Sequence, residues 1–545
     1  MKKKTATMIN KRQKKFREKL LDAFGKLKAD SFNFEQIEKY FRNKDHSLDF
    51  QILSDKTCND LDFQELYMFL DRTNSKVGQQ YLYNKLRTIP FDSKENDEHE
   101  RLIDKFIQDQ DFRLYVQDQL GKLNESETFY ISSLFQDEHL QKPKWFFVVQ
   151  LLSFTSVFSF LMMFFYPAIL FISLGVFIFN FGIHYWNKRN LYEYLGSFPQ
   201  LLRLNAVGRE LYKNDLLKEI NPNLHESIGV LDKLKNRMLF FKVEAKLQGD
   251  FEAIFWGIME LFKILFLLEP LLLFGVLKQL DTKRKEIEDV FIFVGKIDSL
   301  LSIASLRTGL LNYCIPTITE KQKVIIARDV YHPLIPDCVK NSIRVDGKSI
   351  LLTGSNMSGK TSFIRTIGIN TITGLTLNTC FAEQFLMSGM SVFSAIRISD
   401  DLMNDKSYYF EEVLTIKEMI DQAKNTDANL FLLDEIFKGT NTIERISAGK
   451  AVLSSLTKGN NIVFVSTHDI ELADLLKSEY ELYHFSEKVD NKTVDFDYKI
   501  KNGKLKNRNA IRILQINDYP EEIIQEAIEL SIELDKINIA KTAVK

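Results

Sequence analysis

Residues 349–365 read SILLTGSNMSGKTSFIR, and this stretch decides the fold of the C-terminal half. Ser349–Thr353 has the apolar run of a buried strand, and the residues after Gly359 suit a helix. Between them, Gly354–Thr361 fits the pattern G-x-x-x-x-G-K-[ST]. In such a strand–loop–helix unit, backbone N–H groups and the helix N-terminus gather phosphate oxygens. Gly354, Ser355, Asn356, Met357, Ser358, Gly359, Lys360, Thr361 and Ser362 are therefore expected to bind ATP. Lys360 supplies a point charge at the β- and γ-phosphates, and Thr361 a hydroxyl for Mg²⁺.

Working outward from the loop, short apolar runs alternate with helical stretches from Lys323 onward, the pattern of an α/β domain with a mainly parallel sheet. NLFLLDE ends in Asp434 and Glu435. At the end of a buried strand, Asp434 is expected to be a metal ligand with Thr361. Glu435 is expected to be catalytic, polarising a water. NIVFVSTHD repeats the arrangement and puts His468 where a γ-phosphate sensor could stand.

In the other direction the chain reads as helices. Apolar residues recur at three and four spacing around Leu66, Phe69, Leu70 and again around Tyr81, Leu82, Leu86. Residues 145–187 then carry no Asp, Glu, Lys or Arg. A spanning helix needs about 20 apolar residues for a hydrocarbon core of about 30 Å. Two fit, 145–165 and 167–187, with Lys142, Lys144, Lys188 and Arg189 on the flanks. Basic flanks at both ends predict a transmembrane helical hairpin with both ends cytoplasmic. A second apolar run, 251–278, is broken by Glu252, Glu260, Lys263 and Glu269. It reads as a packed or membrane-surface helix, with a third span as the alternative.

The formal net charge of −1 excludes a global basic field for nucleic acid, so such a surface must be local. The first 20 residues hold nine Lys/Arg and one acid, a basic arm suited to anionic lipid or DNA backbone. Four scattered cysteines form no C-x-x-C pair and point to reduced thiols in the cytosol.

The motifs together resemble the MutS family of DNA mismatch-repair ATPases. Asn356-Met357 stand where that family's phosphate loop has Asn-Met. DEIFKGTNT, from Asp434 to Thr442, is similar to its DEI-x-x-GT-[ST]-T segment, and THDIEL to its TH-x-x-EL. SYYFEEV matches S-T-F-x-x-E at Ser407, Tyr409 and Glu412. LDRTNSKVGQQYLYNKLRTIPFD (70–92), KIDSLLSIASL, YHPLI (331–335) and NAIRILQINDYPEEIIQEA resemble further family segments, in family order. The resemblance implies a homodimer with composite sites, in which Ser407 reaches the partner subunit's γ-phosphate. It also implies a base contact at Tyr498, where the family has a His. The family's adenine-stacking aromatic is missing at Cys338–Val339. Only 69 residues precede Leu70, too few for the family's mismatch-reading and connector domains.

The expected architecture is multi-domain: a basic arm (1–30), a helical core (31–144), the transmembrane hairpin (145–187), a helical lever region (188–320), an α/β P-loop (ABC-type) ATPase domain (321–508) and a C-terminal helical dimerisation segment (509–545). The expected function is a cell-membrane, multi-pass ATPase with its ATPase domain cytoplasmic, coupling ATP and Mg²⁺ to abnormal or branched double-stranded DNA. Membrane lipid is the other partner. An ATP-gated scaffold gripping a protein is the alternative. An ABC-like transporter would need an LSGGQ-type signature, which is absent from the sequence.

Overall fold

The computed structural model describes residues 14–15, 17–47, 49–90, 98–244, 253–355, 357–397, 408–425, 427–489, 494–505, 510–517 and 519–543. The chain divides into two compact units: a helical unit (1–47, 70–85, 99–309) and a sheet unit (48–69, 86–98, 310–545). This division cuts across the expected core 31–144, because residues 48–69 and 86–98 fold with the sheet.

In the helical unit we label α1 (Lys76–Arg87), α2 (Phe146–Met162), α3 (Ile169–Leu195), α4 (Ser197–Leu211), α5 (Leu224–Glu244), α6 (Ala253–Phe266), α7 (Leu268–Asp281) and α8 (Arg284–Gly309). The start of α1 is held by Asp298 of α8, which is fully buried. Its carboxylate accepts from the Asn74 and Ser75 amides, both at 2.8 Å, and so serves as a cap supplied by another helix. Gly78 is required by this approach: a Cβ there would lie 2.1 Å from Asp298 Oδ2. Two stretches far apart in the chain, LDRTNSKVG and KIDSLL, are thus one structural joint.

The apolar stretch forms α2 and α3, joined by a short turn around Pro167 and packed antiparallel. Trp145 and Trp186 meet at one end with ring centroids 4.8 Å apart. Among the described residues, Ile169–Lys188 is the one helix of at least 18 residues that is apolar enough to cross a membrane, and α2 is a shorter apolar helix. The expectation of two equal spans is corrected here, because α2 stops at Met162 and has 17 residues. Large side chains on these helices face outward: Phe154 is 70% exposed and Phe171 78%. Within the run 251–278, α6 and α7 form a bent pair of helices packed against α2 and α3, and Glu252 lies outside the described residues.

In the sheet unit the strands are β1 (Thr317–Thr319), β2 (Val324–Val330), β3 (Asn341–Asp346), β4 (Ser349–Thr353), β5 (Gln384–Ser388), β6 (Ser391–Ala395), β7 (Asn429–Asp434), β8 (Ile462–Thr467), β9 (Tyr480–His484) and β10 (Lys501–Asn502). A six-stranded sheet runs β10-β9-β4-β8-β7-β6. Its members are parallel except β10, which pairs antiparallel with β9. β1, β5, β2 and β3 make a second, four-stranded sheet. Helices α9 (Lys360–Leu377), α10 (Tyr408–Gln422) and α11 (Thr442–Leu456) pack with the large sheet. The central strands β4, β7 and β8 are almost wholly buried, which explains their unbroken apolar runs. Asp60 ties the segment 55–60 to this sheet, accepting from Ser394 Oγ at 2.6 Å and the Ile396 amide at 2.9 Å.

Candidate functional site

The site lies at the C-terminal ends of β4, β7 and β8, where an open parallel sheet places its ligands. Parallel register puts Ser466 of β8 beside Asp434 of β7, and Thr467 beside Thr353 of β4. The loop after β4 therefore meets the carboxylates after β7. Gly359 takes a left-handed conformation (φ 105°) as α9 begins, and its missing Cβ would sit 3.3 Å from the Tyr498 ring.

Lys360 is buried, and its ammonium donates to the Gly354 and Ser355 carbonyls at 2.9 and 2.8 Å. Burial lowers its pKa, against the pull of Glu435 and Asp434. Ser358 Oγ donates to the Ser355 carbonyl, and Ser355 Oγ to Glu487, so the loop is braced from inside and from one flank. Met357 is exposed with φ 66°, and Ser362 is exposed on the first turn of α9. Asn356 and Ser407 lie outside the described residues.

Thr361 Oγ1 donates to Asp434 Oδ2 at 2.7 Å, and Ser466 Oγ bonds the other oxygen of that carboxylate. Glu435 has φ 51° and stands in two ion pairs, with His468 Nε2 at 2.7 Å and Lys438 Nζ at 2.8 Å. Burial raises the Glu435 carboxyl, but the His468 and Lys438 hydrogen bonds outweigh it and hold it down at about 2. The loop beyond Glu435 is anchored by buried Glu412 of α10, which accepts from the Phe437 amide at 2.6 Å. The Tyr409 ring packs near Phe437, with centroids 6.3 Å apart.

These groups border a cavity of about 450 Å³, lined by Lys360, Thr361 and Glu435 at one end and by Tyr331, Cys338 and Tyr498 at the other. The volume is within the range of small-molecule sites, about 300–1,000 Å³. Tyr498 has φ 50°, and its backbone is pinned by Asn341, whose amide donates to the Tyr498 carbonyl at 3.0 Å. Hence Lys360, Thr361, Asp434, Glu435, His468 and Tyr498 gather in one place. Sequence reasoning missed Lys438, Ser466 and Asn341. Lys438 lies three residues past a strand-end acid, and Ser466 is the register neighbour of Asp434; only Lys438 left a signal in the sequence, as a cation in the turn after β7.

The strand–glycine loop–helix unit of β4 and α9 thus faces the paired carboxylates at the end of β7 in one α/β domain. Residues 350–535 match the family model MutS domain V. It is 27% identical over 285 residues to the DNA mismatch repair protein MSH3 of Saccharomyces cerevisiae (strain YJM789), covering 49% of this chain and 28% of that protein. Over 284 residues it is 28% identical to the DNA mismatch repair protein MutS of Methanosarcina acetivorans, with 49% and 31% covered. The MutS of Petrotoga mobilis is 31% identical over 281 residues, with 48% and 33% covered. The match thus spans about a third of the length of these curated relatives.

Proposed function

We propose that the chain is a membrane-attached ATPase of the MutS family that couples ATP binding and hydrolysis, in a homodimer, to duplex DNA of altered shape. The observation that carries the ATPase reading is that Lys360, Thr361 and Glu435 border one cavity, with Asp434 bonded to Thr361 and His468 to Glu435. The loop from Gly354 to Ser362 holds the phosphates, and Lys360 turns from its loop carbonyls toward them. Thr361 and Asp434, already 2.7 Å apart, fit a hard divalent cation, since both are oxygen donors. Mg²⁺ there would offset charge on the phosphate oxygens. Glu435 is too weak a base to hold a proton at neutral pH. It acts by orienting the attacking water: each carboxylate oxygen has two lone pairs, so capacity remains beside His468 and Lys438. Tyr498, with Tyr331, packs the base end of the nucleotide. Ser407 of a second subunit completes the site.

The relatives' names supply the DNA reading, and the outward-facing aromatic residues of α2 and α3 supply the membrane reading. α3 crosses the bilayer. α2, at the lower limit of spanning length, returns the chain so that both ends and the sheet unit lie on the cytoplasmic side. DNA binding by the purified chain, titrated from low to moderate salt with ATP present, tests the coupling. Affinity should fall steeply as phosphate contacts release counterions. A weak, flat response would remove the DNA reading and favour a scaffold that grips a protein, a reading consistent with the net charge of −1.

A further inference from the structure

We infer that residues 253–281 enter the same apolar layer as α2 and α3 as a re-entrant helical V, turn at Leu267, and return to the face from which they came. The inference rests on the membrane reading above and says how a segment with internal charges can share the bilayer with α2 and α3.

The order of contacts along the segment carries it. Glu260, midway along α6, pairs with Lys188 at 2.6 Å and His184 at 3.1 Å, near the basic end of α3. Five residues on, the Leu265 carbonyl accepts from Asn180, one turn deeper along α3, at 2.7 Å. The Phe266 carbonyl accepts from Ser153 of α2 at 2.7 Å. Phe274 of α7 is then back against Phe146, the first residue of α2, with ring centroids 5.0 Å apart. Trp145 and Trp186 mark that same edge. The segment therefore goes in beside α3 and α2 and, after its turn, comes back beside both, with Glu269 of α7 again 3.4 Å from His184. Ser153 lies eight residues past Trp145, a depth of about 12 Å at 1.5 Å per residue. That is less than half of a hydrocarbon core of about 30 Å.

The turn is built for a medium without water. Leu267 is fully buried with φ 49° and ends α6, which frees the last carbonyls of that helix. Hydrocarbon offers no donor to such groups, so irregular backbone survives there only where protein satisfies it. Asn180 and Ser153 do so. Pro270 in the first turn of α7 suits a fresh helix start.

A second observation is independent of the turn. The described charges that break the apolar run, Glu260, Lys263 and Glu269, point inward. Lys263 bridges Glu260 at 3.2 Å and Glu269 at 3.1 Å, and Glu269 is fully buried. On the opposite side of α6, Leu261 and Phe262 are exposed. A helix in water shows the reverse pattern, with charges outward. Two carboxylates with two ammonium groups close the formal charge inside the V, as buried intramembrane charges require.

The test uses full-length chains carrying Ala253→Cys, Phe262→Cys or Thr282→Cys, in washed, sealed membrane vesicles of both orientations. A membrane-impermeant maleimide is the probe, and labelling of the unsubstituted chain is the background. The expected result is labelling of positions 253 and 282 only when the cytoplasmic face is outward, and no labelling of 262 from either side. Labelling of 253 and 282 from opposite sides means the segment crosses, and labelling of 262 means it lies on the surface; either overturns the V alone. Recovery of the chain in the wash overturns membrane attachment itself, and the V with it.

Discussion

Two regions of this molecule bury charge, and they do opposite things with it. Around the glycine loop, Lys360, Thr361 and Glu435 border a cavity of about 450 Å³, and Thr361 donates to Asp434. Their partners there are loop carbonyls, hydroxyls, a histidine and a lysine at its rim. Between α3, α6 and α7, Glu260, Lys263, Glu269, Lys188 and His184 are spent on one another. Burial of charge alone therefore does not mark a reactive site. What separates the two is open volume beside the charge, with donor and acceptor capacity left over.

The sharpest way to break this comparison is to neutralise one carboxylate in each region. Glu435→Gln should keep ATP binding and lower turnover about 10²–10⁴-fold, measured as phosphate release at saturating ATP. Unchanged turnover would take Glu435 out of the reaction. Glu269→Gln should leave ATP binding intact and lower the stability of the helical unit, by about 3–5 kcal/mol for a broken buried pair. Denaturant unfolding in detergent reads this effect. A fall in turnover with no loss of stability would erase the distinction drawn here.

A smaller effect is expected at the joint between α1 and α8. Gly78→Ala forces a methyl group into Asp298 and should cost about 1–3 kcal/mol, seen as a lower thermal midpoint. A neutral result would mean that α8 is free to shift.

The effect most diagnostic in sign is pH dependence. Glu435 sits at about 2 against an ordinary 4.5, so its contribution is full above 4.5 and is lost as pH falls toward 2. Burial raises Asp298 to about 6 from 3.8. The folded helical unit takes up that proton before the unfolded chain does, so stability rises as pH falls from about 6 toward 3.8. Thermal midpoints of the native chain and of Asp298→Asn, compared across this window, isolate the second effect. It should be present in the first and absent from the second.

The parts of the site that lie on single strands were legible in the sequence. β4 and its loop, and the acids ending β7, show in unbroken apolar runs closed by polar residues. The brace from Ser466 to Asp434 was not legible, because it depends on register between strands that are 28 residues apart in the chain at their nearest ends. The same holds for 251–278. Its charges read as obstacles to burial, since no one-dimensional pattern shows that His184 and Lys188 of another helix meet Glu260, or that His184 meets Glu269. The paired spans were overread for a related reason. Composition continues through Met163–Tyr166, but the helix does not, because the chain turns ahead of Pro167.

The joint at Gly78 has one more consequence. On α8, Asp298 fills the place of a missing side chain on α1, while Gly295, one turn earlier, receives Tyr81 of α1, whose Cβ lies 2.6 Å from where a Cβ on Gly295 would be. Each helix thus carries a notch cut to the other's tooth. Sliding either helix by one residue, about 1.5 Å, would drive both teeth into backbone. The pair is keyed rather than greased. A load applied to α8, the helix that leads the chain into Leu310, is carried by α1 as well, and that part of the helical unit turns as one stiff piece.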